Sequence, residues 1–536
     1  MSNYVIGLDF GTLSCRGVLL ETETGNVIAQ AVCAFEHGVV DHELPTYGKL
    51  PDQFALQVPK DYLKAMRYVI DEILQNTGMD KQKIGGLGID FTSCTWMAID
   101  KDGIPLCEKE EYISNPHAYV KLWKHHAAQP QADQINALAA KRQEKWLSMY
   151  GGKISCEWAL PKTLETLQQA PQVFEAADKF MEAADWLSLM LTGTETRSAP
   201  FAGYKALWND VSGYPSNDFL CALDPRLDGV VGTKISSQVL GMDKIAGYIS
   251  EEGAALCGLC PGTPLSLPMI DAHAAMPALN ITEDGELMLI LGTSACHIVN
   301  DKHGKIVEGI CGYVKDGVIP GYYTYEAGQA AVGDIFDWYI KNCLPASYEK
   351  EAADQNVNVH TLLLQKKAEQ IDISKSELIA LDWWNGNRNI LNDATLRGMI
   401  FGFTLHTKPE EIYRALIEAT AFGLRVIVEQ YERYGISIHS VCAAGGISQK
   451  NDLLMQIYAD VLNRDIRVTG CQQAAALGSA IYASVAARYY PDVKAAAAHM
   501  APADIKKFSP VMSNVAAYER LYQKYKKLHD LFGKNE

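Results

Sequence analysis

An aspartate that closes an apolar strand and runs straight into Phe-Gly-Thr, as in Asp9-Phe10-Gly11-Thr12, suits the handling of phosphate. Glycine permits a tight turn and lets phosphate oxygens reach the backbone. Thr12 and Ser14 add hydroxyl and N–H donors, and Asp9 can hold a hydrated magnesium ion, which takes few carboxylates and keeps its waters. Alone, this is equally an ordinary hairpin turn. The pattern returns, however: residues 289–296, LILGTSAC, echo residues 8–15, LDFGTLSC. Two donor turns, one at Gly11-Thr12 and one at Gly292-Thr293, can grip β- and γ-phosphates from opposite sides.

Asp271 closes another apolar segment, Pro268-Met269-Ile270-Asp271-Ala272-His273, ahead of a small-residue helix start. An acid there can accept a hydroxyl proton as a sugar oxygen attacks a γ-phosphate. The commoner use of such an aspartate is to cap the helix, and His273 reads as a satisfied neighbour rather than a ligand. Ala443-Ala444-Gly445-Gly446-Ile447-Ser448 is a glycine-rich strand-to-helix turn that offers free N–H groups and a helix N-terminus. Asn451, near that helix start, either caps it or meets a nucleotide. Lys205 and Glu326 sit among small and aromatic neighbours, a setting that suits sugar hydroxyls, although a solvated surface charge is the default for each. No G-x-x-x-x-G-K-[ST] sequence is present, which argues against a P-loop kinase.

These residues need elements to position them. Residues 4–9, 16–21 and 27–32 read as an antiparallel meander. Residues 60–76 carry apolar side chains at helical spacing, with Pro59 before and Gly78 after. A buried strand at 84–90 follows. The stretch 105–172 is polar and rich in Trp and His, and reads as an insertion over the substrate side; 259–262 reads as a crossing between halves. The pattern restarts at Leu287, passes a second polar insertion at 344–375, and continues through a long amphipathic helix at 409–434 ended by Gly435, a strand at 440–444 and a helix at 451–462. A helix at 514–532, with a basic outer face, closes the chain against the second half. The repeated hairpins predict two α/β halves facing each other across a cleft, a favoured place for ligands.

At 536 residues the chain exceeds one core. Its net charge of -16, from 48 basic and 64 acidic residues, excludes a nucleic-acid footprint but not a nucleotide held by backbone and metal. The apolar runs near 287–291 and 474–487 are too short or too small-sided to span a membrane, and the N-terminus shows no signal-peptide pattern. The 13 cysteines are scattered. Cys257 and Cys260 form a C-x-x-C without a second ligand pair, so reduced, mostly buried thiols and a cytoplasmic location are expected.

Ten blocks carry a resemblance: DFGT at 9–12, NPHAYVKLWKHH at 115–126, GGKISCEW at 151–158, AGYKALW at 202–208, IDAH at 270–273, GTSACH at 292–297, EGICG at 308–312, EAGQAAVGDIFDW at 326–338, LDWWNGNRN at 381–389 and GGISQKNDLLMQIYADVLNR at 445–464. Over nearly the whole chain these resemble the FGGY carbohydrate kinases, relatives of heat-shock chaperones and actin. The resemblance implies an α/β fold of two actin-like (ribonuclease H-like) ATPase domains with an interdomain cleft. The N-terminal domain, 1–268, would carry the sugar side and an insertion at about 105–172; the C-terminal domain, 269–510, would bind nucleotide; 511–536 would be a helical tail. It further implies transfer of the ATP γ-phosphate, with magnesium, to O5 of L-ribulose, as in L-arabinose catabolism. By motif position Asp271 would be the base. Ser93, Lys205 and Glu326 would hold the sugar with it. Thr12, Gly292, Thr293, Gly333, Gly446 and Asn451 would line the nucleotide site, and Asp9 would act on Mg2+ through water. Sugar and ATP are the implied partners, and a homodimer is compatible with the resemblance. Trp96 and Pro277 depart from the common pattern, and Trp96 bears on sugar preference. Two alternatives remain: a kinase of the same family acting on D-ribulose, ribitol or xylulose, and an actin- or chaperone-like ATPase acting on a protein, against which the Lys205 and Glu326 blocks speak.

Overall fold

The computed structural model describes residues 3–367 and 371–533; Met1, Ser2, residues 534–536 and residues 368–370 of the second polar insertion lie outside the described residues. From Val5 to Phe10 every residue of the opening strand Tyr4–Phe10 is buried, which marks a strand covered on both faces. It lies inside a sheet ordered Val27–Ala34, Ser14–Glu21, Tyr4–Phe10, Ile84–Phe91, Pro264–Ser266, Ile245–Tyr248, paired antiparallel twice, parallel twice, then antiparallel. A second sheet repeats this scheme with Tyr323–Gln329, Ala295–Asp301, Glu286–Leu291, Ser440–Ala444, Ile466–Thr469 and Asp504–Phe508, and Tyr313–Lys315 extends its outer edge. The short echo between 8–15 and 289–296 is therefore the visible part of a duplicated topology.

Each half covers its sheet with a long helix. Pro59–Thr77 has proline in its first turn and stops at Gly78, whose left-handed φ of 63 lets its N–H cap Gln75 O. Pro409–Arg433 runs through the second core beside Asp452–Leu462 and the C-terminal helix Met512–Gly533. The other face of the first sheet is covered by a helix from far along the chain. Ala474–Ala486 lies on Tyr4–Phe10 and Ile84–Phe91 and against the helix Asp271–Ala278. Its backbone approaches so closely that a Cβ on Gly7 would stand 1.9 Å from Ala476 O, and one on Gly478 would stand 1.6 Å from Ala274 O.

This packing corrects the expected partition. Residues 259–262 do not cross between halves: they turn the chain from helix Glu251–Cys257 into Pro264–Ser266 of the first sheet. Met269–Ile270 still pairs with Ile84–Phe91, so the chain leaves the first sheet later than residue 268. Helix 512–533 gives Tyr518, Leu521, Tyr522 and Tyr525 to the second core and is part of that half rather than an appendage. The insertion is also wider than 105–172, because a third core runs from Leu44 to Ile235 around a four-stranded sheet of Lys179–Glu182, Trp96–Ile99, Val120–Lys121 and Leu56–Gln57. Periodicity identifies a helix, but not which sheet it covers. All 13 cysteines are free, and among the described residues no helix is long and apolar enough to cross a membrane.

If Ala474–Ala486 holds the first sheet in this way, Gly478→Ala should lower stability by at least about 2 kcal/mol. Urea unfolding measures this, and an unchanged midpoint would contradict the packing.

Candidate active site

Both turns are closed from their glycine, the first over four residues and the second over three: Gly11 N–H donates to Ser14 O and Gly292 N–H to Ser294 O, both at 3.0 Å. The second turn also seats the start of helix Gly333–Cys343. Thr293 O accepts from Val332 N at 2.7 Å and Gly292 O from Gly333 N at 3.0 Å. A Cβ on Gly333 would lie 2.7 Å from Gly292 O, and one on Gly445, at φ +99, would lie 2.4 Å from Leu291 O. Gly292, Thr293, Gly333 and the Gly445-Gly446 turn thus meet at one end of the second sheet. Open space adjoins Gly446. Asn451 acts as the cap: its Oδ1 accepts from Leu454 N at 2.9 Å. Thr12 bonds within the first half, its Oγ1 accepting from Trp123 Nε1 at 3.1 Å and its carbonyl from Gln57 Nε2 at 2.7 Å.

Asp9 and Asp90 face each other in register on neighbouring parallel strands. Burial, and then the Asp9 charge, hold the Asp90 carboxyl well above the usual carboxylate range. Its Oδ2 accepts from Ser479 Oγ at 2.7 Å, while its Oδ1 is buried without a hydrogen-bond partner among the described residues. Burial also raises Asp9, against which the neighbouring Asp90 carboxyl and the Arg16 guanidinium, 3.8 Å away, work. Asp90 escaped the sequence reading, although a signal existed: Asp90-Phe91-Thr92-Ser93 echoes Asp9-Phe10-Gly11-Thr12, and the two phenylalanine rings stack at 4.4 Å.

Asp271 is the first residue of helix Asp271–Ala278, and Ile270 holds the cap position. Its carboxylate does not cap; its Oδ1 accepts from the adjacent Ala272 N at 2.6 Å. Burial raises it most, the charges of Asp9 and Glu326 add to this, and the acid is pushed up to about 7. Pro277 lies near the end of the same helix, where it packs toward Gly478.

Lys205 and Glu326 are not solvated surface charges. Both are buried, and Lys205 Nζ stands 3.1 Å from Glu326 Oε1 and over the Trp158 ring. Burial is the largest influence on the Lys205 ammonium and opposes it, but Glu326, with smaller help from Cys94 and Cys311, keeps the lysine above its ordinary value. Burial likewise opposes the Glu326 charge, yet Lys205, His273 and Arg388 hold that carboxyl well below the usual range. Glu326 Oε2 also meets His273 Nε2 at 3.1 Å, while His273 Nδ1 is buried without a partner among the described residues, so the expected satisfied neighbour is satisfied at one ring nitrogen only. Ser93 is half-buried in the turn that leaves strand Ile84–Phe91. The next residue, Cys94, has φ 59, and its carbonyl is gripped by the buried Lys162 Nζ at 2.6 Å, which also donates to Leu122 O and Lys121 O. Lys162, set in an amphipathic helix, gave no sequence signal. Trp96 is buried in the third core with its Nε1 on Thr163 Oγ1 at 2.9 Å.

The chain's relatives agree with this fold. Residues 4–276 match the N-terminal domain, and residues 287–487 the C-terminal domain, of the FGGY family of carbohydrate kinases. The chain is 48% identical over 527 residues to a ribulokinase of Bacillus licheniformis (97% of this chain, 95% of the relative). It is 47% identical over 538 residues to a ribulokinase of Halalkalibacterium halodurans (99% and 95%). Among solved structures, a xylulose kinase from Rhodospirillum rubrum superimposes with a TM-score of 0.81 at 22% identity over 99% of both chains. Plasmodium falciparum glycerol kinase with ADP gives 0.76 at 18% identity over 100% of this chain and 99% of that one. The duplicated sheets, the paired glycine turns and the full-length matches together mean that this chain belongs to the FGGY family of carbohydrate kinases.

Proposed function

We propose that the chain phosphorylates L-ribulose at O5, using ATP and magnesium, as a ribulokinase. The observation that carries the reading is Asp271: a buried acid at the start of its helix, raised to about 7 by burial and by the charges of Asp9 and Glu326, with Glu326 bonded to His273 on the same helix. The names of the full-length relatives supply the sugar.

Gly292, Thr293, Gly333 and Gly446 line the nucleotide site, with Thr12 on the opposing turn, while Asn451 holds the helix behind it. Ser93, Lys205, Glu326 and Asp271 bind the ketose. Asp271 takes the O5 proton as the O5–phosphorus bond forms and the bond to the ADP oxygen breaks; the proton ends on Asp271. Burial and the Asp9 charge raise the Asp90 carboxyl, whose Oδ2 accepts from Ser479, and this leaves Asp9 as the carboxylate better fit to hold Mg2+ through water. When bound, that ion would neutralise charge on the β- and γ-phosphates. Sugar groups drawn from both halves favour closure over the sugar, which excludes water as a competing acceptor.

Purified protein with ATP, magnesium and a panel of L-ribulose, D-ribulose, ribitol and xylulose tests the reading through ADP release. L-Ribulose should give the highest kcat/KM. No release with any sugar, or sugar-independent ATPase activity alone, would overturn it. Asp271→Asn should lower kcat about 10²–10⁴-fold with sugar binding largely kept; loss of binding with normal residual turnover would remove the base assignment. Because an acid raised to about 7 is a base only above that pH, kcat/KM should climb with pH up to about 7 and then level off. A flat profile through that range would count against Asp271.

A further inference from the structure

Arg388 lies in the segment after strand Ile379–Leu381, and its side chain is 46% exposed. Its neighbours spend their side chains on fixing the loop. Asn389 Oδ1 accepts from Gly328 N at 2.7 Å, and its Nδ2 donates to Gly309 O at 3.1 Å and meets Cys311 Sγ at 3.0 Å. Asn387 Oδ1 accepts from Leu391 N at 3.0 Å, and Asn387 and Asp393 exchange backbone bonds. Asn392 reaches the other half, where Nδ2 donates to Gly151 O at 2.9 Å. Within this frame Ile390 is held at φ 81, a conformation a β-branched residue adopts only under constraint. Strain of this kind gathers at ligand clamps.

The charged side chain of this loop, Arg388, is not spent on fixing it. Its guanidinium donates no hydrogen bond among the described residues. Its nearest counter-charge, Glu326 Oε1, is 3.9 Å from Nη2 and is already matched by Lys205 at 3.1 Å. Glu157, across the cleft, is paired with His126 at 3.0 Å. Five planar donors in a fixed loop beside the sugar groups are unsatisfied capacity that only a ligand rich in acceptors would use. Glu326 meets His273, two residues beyond Asp271 on the same helix, at 3.1 Å, and lies 3.9 Å from Arg388. A ketose lying along Glu326 with O5 at Asp271 would present its carbonyl end to the guanidinium.

We infer that Arg388 is a substrate-contacting residue that donates to the carbonyl end of the ketose and thereby favours ketopentoses over pentitols. The inference rests on the ribulokinase reading. A ketone oxygen accepts without donating, which matches a group that only donates; the hydroxyl of a pentitol at that carbon matches it less well.

Full-length enzyme, Arg388→Met and Arg388→Lys are compared in initial rates with L-ribulose and with ribitol at saturating magnesium-ATP, alongside thermal melts. Arg388→Met should raise KM for L-ribulose about 10- to 100-fold, lower the ribulose-to-ribitol ratio of kcat/KM, and leave KM for ATP nearly constant. Arg388→Lys should recover part of the loss. An unchanged ribulose-to-ribitol ratio, or a fall in melting temperature with both KM values moving together, would assign the arginine to structure and overturn the inference alone. No turnover of any sugar by the unmodified enzyme would overturn this inference together with the proposed function.

Discussion

The contact on which the rest depends is the one between helix Ala474–Ala486 and the floor of the first sheet. Gly7 and Gly478 remove the side chains that would hold the layers apart, so backbone meets backbone. At that distance Ser479 can bond the buried Asp90, and helix Asp271–Ala278 is pressed into the same core. Dense packing makes this layer stiff. It ties the last third of the chain to its first strands and fixes Asp9, Asp90 and Asp271 relative to one another.

The same burial acts on every charged group at the site, yet their charge states differ. Asp90 and Asp271 lack a nearby cation and are raised; Glu326 is equally removed from water but has Lys205, His273 and Arg388 around it and stays anionic. Desolvation sets the cost of each charge and the partner decides whether it is met. One cleft therefore holds a firmly charged pair suited to binding and an acid near neutrality suited to proton transfer.

The two halves contribute unequally. The first sheet and its inserted third core provide Ser93, Lys205 and Trp158, while the second half provides Glu326, Arg388 and the glycine turns at 292, 333 and 446. Lys162 links the inserted core to the Ser93 turn through three carbonyls. The insertion is thus more than a cover: its packing shapes the turn that carries Ser93, where Cys94 is held in the left-handed region.

What local chemistry controls was legible in the sequence. Proline before 60–76 and glycine after it bounded a helix, the Gly-Thr dipeptides marked both turns, and the echo between 8–15 and 289–296 announced the duplicated topology. Lys205 and Glu326 were visible as candidates, but their default reading as surface charges failed because a side chain's solvent depends on residues more than a hundred positions away. Asp90 was hidden for the same reason, with its partners at 9 and 479. The expected boundary at 268 failed because strand Met269–Ile270 pairs backward with Ile84–Phe91 and helix Ala474–Ala486 returns to the first sheet. The sequence by itself determined the turns, caps and periodicities, since these depend on neighbours within a few residues. Which sheet each helix covers, which acids are raised and which cation is left without a hydrogen bond among the described residues emerge only in the folded chain, since close packing and desolvation act between residues far apart in sequence.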